Sequence, residues 1–258
     1  MIDEQLQKLE QTLDVVSKTH RADLVIDTAG KILAINPQHE QATHHLIFAY
    51  YNSQKFKEMF EVLQSSLSYF SHESWIHYAC YLYYLSVGGD SYLKAKDHIE
   101  RAIKIEPSNT QYYRSLGEIY LINREAEKAM PFLKKAVDLD PSFAEYRSRY
   151  ALALLRMHKV KESLETADQA LKDDPGEPWI YDTVGMIYTL AGELEKGEEL
   201  FREALRKAPT IDYFQKHIDW VLGEKLDRQN RKTLGKVYTP LYLRHKGTKR
   251  FFDEDANK

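Results

Sequence analysis

Four prolines, Pro107, Pro141, Pro175 and Pro209, stand at equal intervals of 34 residues. A period of that length calls for an array of small supersecondary units stacked on one another, rather than one closed globular core. Pro37 lies 70 residues before Pro107, which fits one further unit lengthened by two residues. The proline missing from that step falls at Ser71, and the insertion at the turn-forming run Gly88-Gly89-Asp90-Ser91. With the proline set as position 32, other residues repeat in phase. Position 8 holds Gly117, Ala151 and Gly185, and position 20 holds Ala95, Ala129, Ser163 and Gly197. Position 27 is alanine at 102, 136, 170 and 204, and position 11 carries Tyr50, Tyr84, Tyr120, Leu154 and Tyr188.

Within each unit the apolar residues recur every three or four positions on both sides of a short turn, the period of two amphipathic helices. Small residues at positions 8 and 20 allow those helices to approach closely. Each proline ends the second helix, because its ring pushes the preceding residue out of the α region. Ser108, Asn109, Ser142 and Thr210 then read as N-caps of the next helix. Gly192 sits at the turn between the paired helices, where left-handed backbone is often needed, and Asn123 lies near the equivalent turn. Ile47, Tyr81 and Met59 occupy the small-residue positions of the N-terminal units and predict splayed pairs there. Pro131, inside a second helix, predicts a slight bend.

This register resembles the tetratricopeptide repeat family, whose helix–turn–helix units carry small residues, an aromatic and a proline at the same places. The resemblance implies an all-α, right-handed superhelical solenoid. Five units are expected at 40–73, 74–109, 110–143, 144–177 and 178–211. A degenerate repeat at 1–39 precedes them, and a capping helix at 212–224, with Phe214, Ile218, Val221 and Leu222 in helical phase, follows. Residues 225–258 form a basic, aromatic-containing tail.

Composition narrows the chemistry. A net charge of −3 and 43% hydrophobic residues describe a foldable chain with no overall nucleic-acid-coating character. One cysteine, Cys80, leaves no intrachain disulfide and no cysteine-based zinc site, and its inward position 7 reads as an inert core thiol. Neither a basic and apolar leader nor a membrane-length apolar run is visible, so a cytoplasmic setting is expected. Phosphate loops, nucleophile elbows and zinc-helix motifs are missing, and the ten histidines are scattered. The chain therefore reads as no enzyme, with no cofactor and no metal.

Family resemblance places binding residues on the first helix of each unit, at positions 2, 5, 9, 12 and 13, facing a concave groove. That set begins with His44, Phe48, Tyr51 and Asn52, followed by Trp75, Tyr78 and Leu82. It continues with Gln111 and Arg114, then Trp179 and Asp182, and all three tryptophans of the chain (75, 179 and 220) fall on it; Arg149, at position 6, joins Arg114 as a candidate for charge or hydrogen-bond selection. Some family members bind acidic chaperone tails through a clamp of lysine, asparagine and arginine. At the clamp positions this sequence has His44, Phe48, Ala79, Gln111 and Ser115, or one unit later Tyr78, Leu82, Ser115, Glu145 and Arg149. Only Arg149 fits, so a chaperone-tail partner of that kind is disfavoured and a more apolar peptide or protein partner is expected.

The expected function is a non-catalytic protein–protein interaction scaffold binding a peptide segment in the groove. Two alternatives stay open. Residues 228–250 contain Arg228, Arg231, Lys232, Lys236, Arg244, Lys246, Lys249 and Arg250 with no acid, interleaved with Tyr238 and Tyr242. Such a tail can contact nucleic acid through phosphates and stacking. A small-ligand or peptide-signal receptor would instead need a closed pocket near Tyr51, Trp75 and Tyr78.

Overall fold

The residue before each repeat proline is extended in the computed structural model, which describes residues 2–19 and 21–233. Asn36, Glu106, Asp140, Asp174 and Ala208 have φ between −130° and −139° and ψ between 75° and 94°. Each ends a helix, and each backbone N–H still donates to the carbonyl four residues back. Where the proline is missing, α4 (Phe56–Phe70) ends on Ser71 in α-type backbone. The steric clash read from the sequence thus sets five of the second-helix ends.

Thirteen α-helices and no strand occur among the described residues. They are α1 (Ile2–Val16), α2 (Ala22–Ile35), α3 (Glu40–Asn52), α4, α5 (Ser74–Val87), α6 (Tyr92–Ile105) and α7 (Thr110–Ile122). Then come α8 (Ala126–Leu139), α9 (Ala144–Arg156), α10 (Val160–Asp173), α11 (Pro178–Ala191), α12 (Leu194–Lys207) and α13 (Asp212–Thr233). The class is all-α, with consecutive helices packed in pairs. The chain divides into two compact units, one ending at Tyr112 and the other beginning at Tyr113. No described helix is long and apolar enough to cross a membrane.

The turn inside a repeat is closed the same way four times. Position 15 is left-handed at Gln54, Arg124, His158 and Gly192, with φ of 56°, 61°, 62° and 95°. The next N–H, of Lys55, Glu125, Lys159 or Glu193, donates to the carbonyl of position 11 at 2.8–3.0 Å. This is a Schellman closure, and it satisfies carbonyls the helix end would otherwise strand. Asn123 lies beside this turn, whose left-handed residue is Arg124, and the Asn123 side-chain amide donates to the Ile119 carbonyl. Residues 88–91 replace this closure after α5 with a 3₁₀ turn over Gly89–Ser91, absorbing the two-residue insertion.

Other expectations meet mixed outcomes. Phe143, not Ser142, occupies the N-cap position of α9 and makes no side-chain cap, while the Ser142 N–H and hydroxyl both donate to the Asp140 carboxylate. α3 and α4, which oppose Ile47 and Met59, pack over less of their length than α9 and α10. α5 and α6 pack closely despite Tyr81, because Ala95 is small. α8 runs through the exposed Pro131, where solvent can satisfy the Glu127 carbonyl.

The first unit buries Leu13, Ile32 and Leu46 in one cluster and Ile47, Met59, Leu63 and Ile76 in another. In the second unit, Leu133, Leu155, Val184 and Ile187 form the main core, and Phe201, Ile218 and Val221 seat α13 on α11 and α12. Small residues at positions 8 and 20 do what their phase predicts. The Ser163 hydroxyl donates to the Ala151 carbonyl at 2.7 Å, and a Cβ on Gly197 would come within 3.1 Å of the Gly185 oxygen and against Thr189. Gly197→Ala should lower unfolding free energy by about 1–3 kcal/mol through overpacking. Gly223→Ala, in an open stretch of α13, should raise it by about 0.5–1 kcal/mol. Urea denaturation of the two variants checks both signs.

Candidate functional site

Helical spacing on α3 puts His44, Phe48 and Tyr51 on one side, and the same spacing on α5 aligns Trp75, Tyr78 and Leu82. Packing of α3 against α5 merges the rings into one face. His44 lies 4.7 Å from Phe48 and 5.2 Å, edge-on, from Trp75 between ring centroids. Phe48 stacks on Tyr78 at 6.4 Å, and Tyr78 continues to Tyr81 at 5.6 Å and Tyr112 at 5.4 Å. His44, Phe48, Trp75 and Tyr78 are all half-buried, each packed on one side and open on the other. Polar handles fix the rings: the Trp75 indole N–H donates to Glu40 Oε1 at 2.9 Å, and Gln111 donates to the Tyr78 hydroxyl. Burial, then the neighbouring His45, pushes the His44 pKa down, so this imidazole is neutral at pH 7. Beside the face is an open depression of about 530 Å³ lined by Asn36, Gln38, His39, Glu40, Gln41, His44 and Trp75. Tyr51 rests edge-on against Phe56, Leu82 is half-buried, and Asn52 is exposed at the end of α3.

In the second unit the predicted positions carry charge. Arg114 pairs with Glu118 at 2.7 Å and Glu145 at 3.4 Å, and Arg149 reaches Glu118 at 3.1 Å. Trp179 is 47% exposed, with Phe214 at 4.8 Å and Tyr213 at 5.8 Å. Asp182 does not line an open surface. It is buried and meets Nδ1 of the equally buried His217 on α13 at 2.6 Å. Burial raises its pKa, opposed by the His217 hydrogen bond and the charges of His217 and Arg149.

α13 continues past residue 224 to Thr233, so the first part of the basic segment is helix. Its cations are matched by acids on α12 and on α13 itself. Lys225 binds Glu198 at 2.7 Å and Arg228 faces Glu195 at 3.7 Å, while Arg231 pairs with Asp227 at 2.8 Å. Lys232 is exposed. Lys236, Arg244, Lys246, Lys249 and Arg250 lie outside the described residues.

Sequence reasoning missed a histidine pair, His77 buried and His98 half-buried. His77 on α5 and His98 on α6 place their Nδ1 atoms 3.1 Å apart, His77 Nε2 meets the Ser71 carbonyl at 3.0 Å, and His98 stacks on Tyr84. Positions 21 residues apart match no repeat-phase rule, so only the packed structure reveals the pair. Burial, then the other ring, drives the His98 pKa down to about 4, and burial lowers His77 as well. Cys80 is free and buried, its thiol pushed up to about 12 by desolvation. Among the described residues no group of three or more His, Cys, Asp or Glu is placed to hold a metal ion.

A family model described as tetratricopeptide repeat matches residues 87–144. Solved structures extend the likeness well beyond that stretch. A tetratricopeptide repeat protein of Thermus thermophilus covers 84% of this chain and 98% of its own, at 15% identity and a TM-score of 0.52. The Cut9–Hcn1 assembly of the anaphase-promoting complex covers 84% of this chain and 46% of its own, at 11% identity and 0.65. The fold is that of these repeat solenoids, and residues 87–144 match the tetratricopeptide repeat family itself. Human antiviral innate immune response effector IFIT1 is 25% identical over 49% of this chain and 28% of its own length. Arabidopsis thaliana Hsp70-Hsp90 organizing protein 3 is 24% identical over 54% of this chain and 25% of its own. The chain thus spans about a quarter of the length of these curated relatives.

The histidine pair generates a pH dependence with a definite sign. Both folded pKa values lie below the unfolded value of about 6.5, so the stabilising neutral state is fully present above that pH. Stability is lost as pH falls from 6.5 toward 4, where His98 charges in the folded chain. His98→Phe should flatten that loss relative to wild type in urea midpoints measured at pH 7.5, 6 and 4.5; equal slopes in both proteins would contradict the assignment.

Proposed function

We propose that this chain is a non-catalytic adaptor that captures a peptide segment, extended or helical, on the aromatic face of α3 and α5. Tetratricopeptide repeat proteins as a class bind protein or peptide partners. The observation that carries the reading is the continuous run of half-exposed rings from His44 through Phe48 and Trp75 to Tyr78. Aromatic side chains dominate binding hot spots, and rings already held by neighbours lose little entropy when a partner docks. In the second unit, the Arg114, Glu118, Glu145 and Arg149 network offers charge selection of its own.

The other readings draw less support. The one residue that fits a chaperone-tail clamp, Arg149, is already paired with Glu118. A small-ligand receptor would need an enclosed cavity of a few hundred Å³. The depression by Trp75 is open, and the cavity among Cys80, Tyr83, Tyr84 and His98 holds about 40 Å³. Arg228 and Arg231 face acids on α12 and α13, which weakens a nucleic-acid role for the start of the basic segment. A cytoplasmic setting fits a chain with a single, buried cysteine.

Peptides selected on the full chain from a random dodecamer library provide the test. Trp75→Ala should weaken their binding at least tenfold, and Trp179→Ala, which removes the exposed indole of the other unit, less than twofold. Thermal melts of both variants verify folding. The reverse pattern in two folded variants sinks the proposal.

A further inference from the structure

The depression beside Trp75 has an electrostatic character that the rest of the aromatic face lacks. Its lining residues include one carboxylate, Glu40, and no lysine or arginine. The His39 ring is spent on its neighbours: Nδ1 accepts from the Ala42 N–H at 3.2 Å, so Nε2 carries the one ring hydrogen and donates to Glu10 Oε1 at 2.9 Å. His44 is neutral through burial. The remaining polar lining groups, on Asn36, Gln38 and Gln41, are uncharged amides. Glu40 is the first residue of α3, whose N-terminal partial positive charge offsets only part of a full carboxylate charge. One Glu40 oxygen holds the Trp75 indole N–H, which sets the carboxylate and the indole side by side.

We propose that this depression is a subsite for a basic side chain, arginine above lysine, presented by the partner peptide of the reading above. Its guanidinium plane lies against Trp75 while its N–H groups donate to the Glu40 carboxylate, with the three amides accepting the remaining protons. Cation–aromatic contact and a charge-assisted hydrogen bond act together here, and a planar fork of donors uses both better than a compact ammonium. The preference is opposite in sign to that of an acid-binding clamp. A partner with a carboxylate at this place meets Glu40 and is rejected.

The random dodecamer selection is repeated on the full chain and on Glu40→Gln, with circular dichroism confirming that the variant folds. Glutamine keeps an oxygen for the Trp75 indole, so the face stays in place while the charge is lost. Wild type should enrich arginine, and lysine less strongly, at one fixed position relative to the apolar residues. Glu40→Gln should reduce that enrichment at least fivefold and leave the apolar positions unchanged. Basic residues no commoner than in the starting library, or equally common on Glu40→Gln, overturn the subsite. An apolar consensus without a basic position leaves the aromatic-face reading standing and removes only this inference. Failure to select any peptide on either protein removes both.

Discussion

The clash between a proline ring and the residue before it sets the length of five helices in this chain. Asn36, Glu106, Asp140, Asp174 and Ala208 are all driven to the same extended backbone. The left-handed closure at position 15 sets the opposite limit, ending the first helix of four repeats at one phase. With both ends fixed, positions 8 and 20 must oppose one another, and a small residue at each lets the backbones approach. The close approach of Gly185 to Gly197 depends on this phase, since a slip of one residue would set bulky side chains between the helices.

Helix length also positions the aromatic face. α3 and α5 start from the same place in successive repeats, so His44 and Phe48 on one meet Trp75 and Tyr78 on the other. The first unit departs from the small-residue rule at Ile47, Met59 and Tyr81, and all three of these bulky side chains are buried. The same rings then serve two ends: one edge packs, and the other faces solvent. In the second unit, where positions 8 and 20 are small, the equivalent places carry paired charge, and Asp182 is drawn inward to His217.

The repeat, its helix pairs and its proline stops were legible because each rests on local sterics recurring at a fixed interval. The left-handed turn residues were legible only at Gly192. Gln54, Arg124 and His158 adopt the same backbone without the glycine that announces it, imposed by the closing hydrogen bond rather than by propensity. Trp75 and Tyr78 were nameable from phase, yet their tie to Glu40 and Gln111 depends on side-chain reach between units of the repeat. The burial of Asp182 was hidden because its partner, His217, lies 35 residues on, outside the last proline-marked repeat. The end of α13 was misjudged for a similar reason: Lys225 and Arg228 looked like the start of a basic tail, but they complement acids on α12 and keep the helix going.

The proposed binding face lies on α3 and α5, with its rings already held by Glu40 and Gln111. Nitrogen-15 indole spectra of the full chain, titrated with a selected peptide, address it directly, since the chain has three tryptophans in three environments. The Trp75 indole signal should shift and saturate with peptide while those of Trp179 and Trp220 stay in place. A stationary Trp75 signal, with shifts at Trp179 or Trp220, would contradict it and move the binding surface to the second unit.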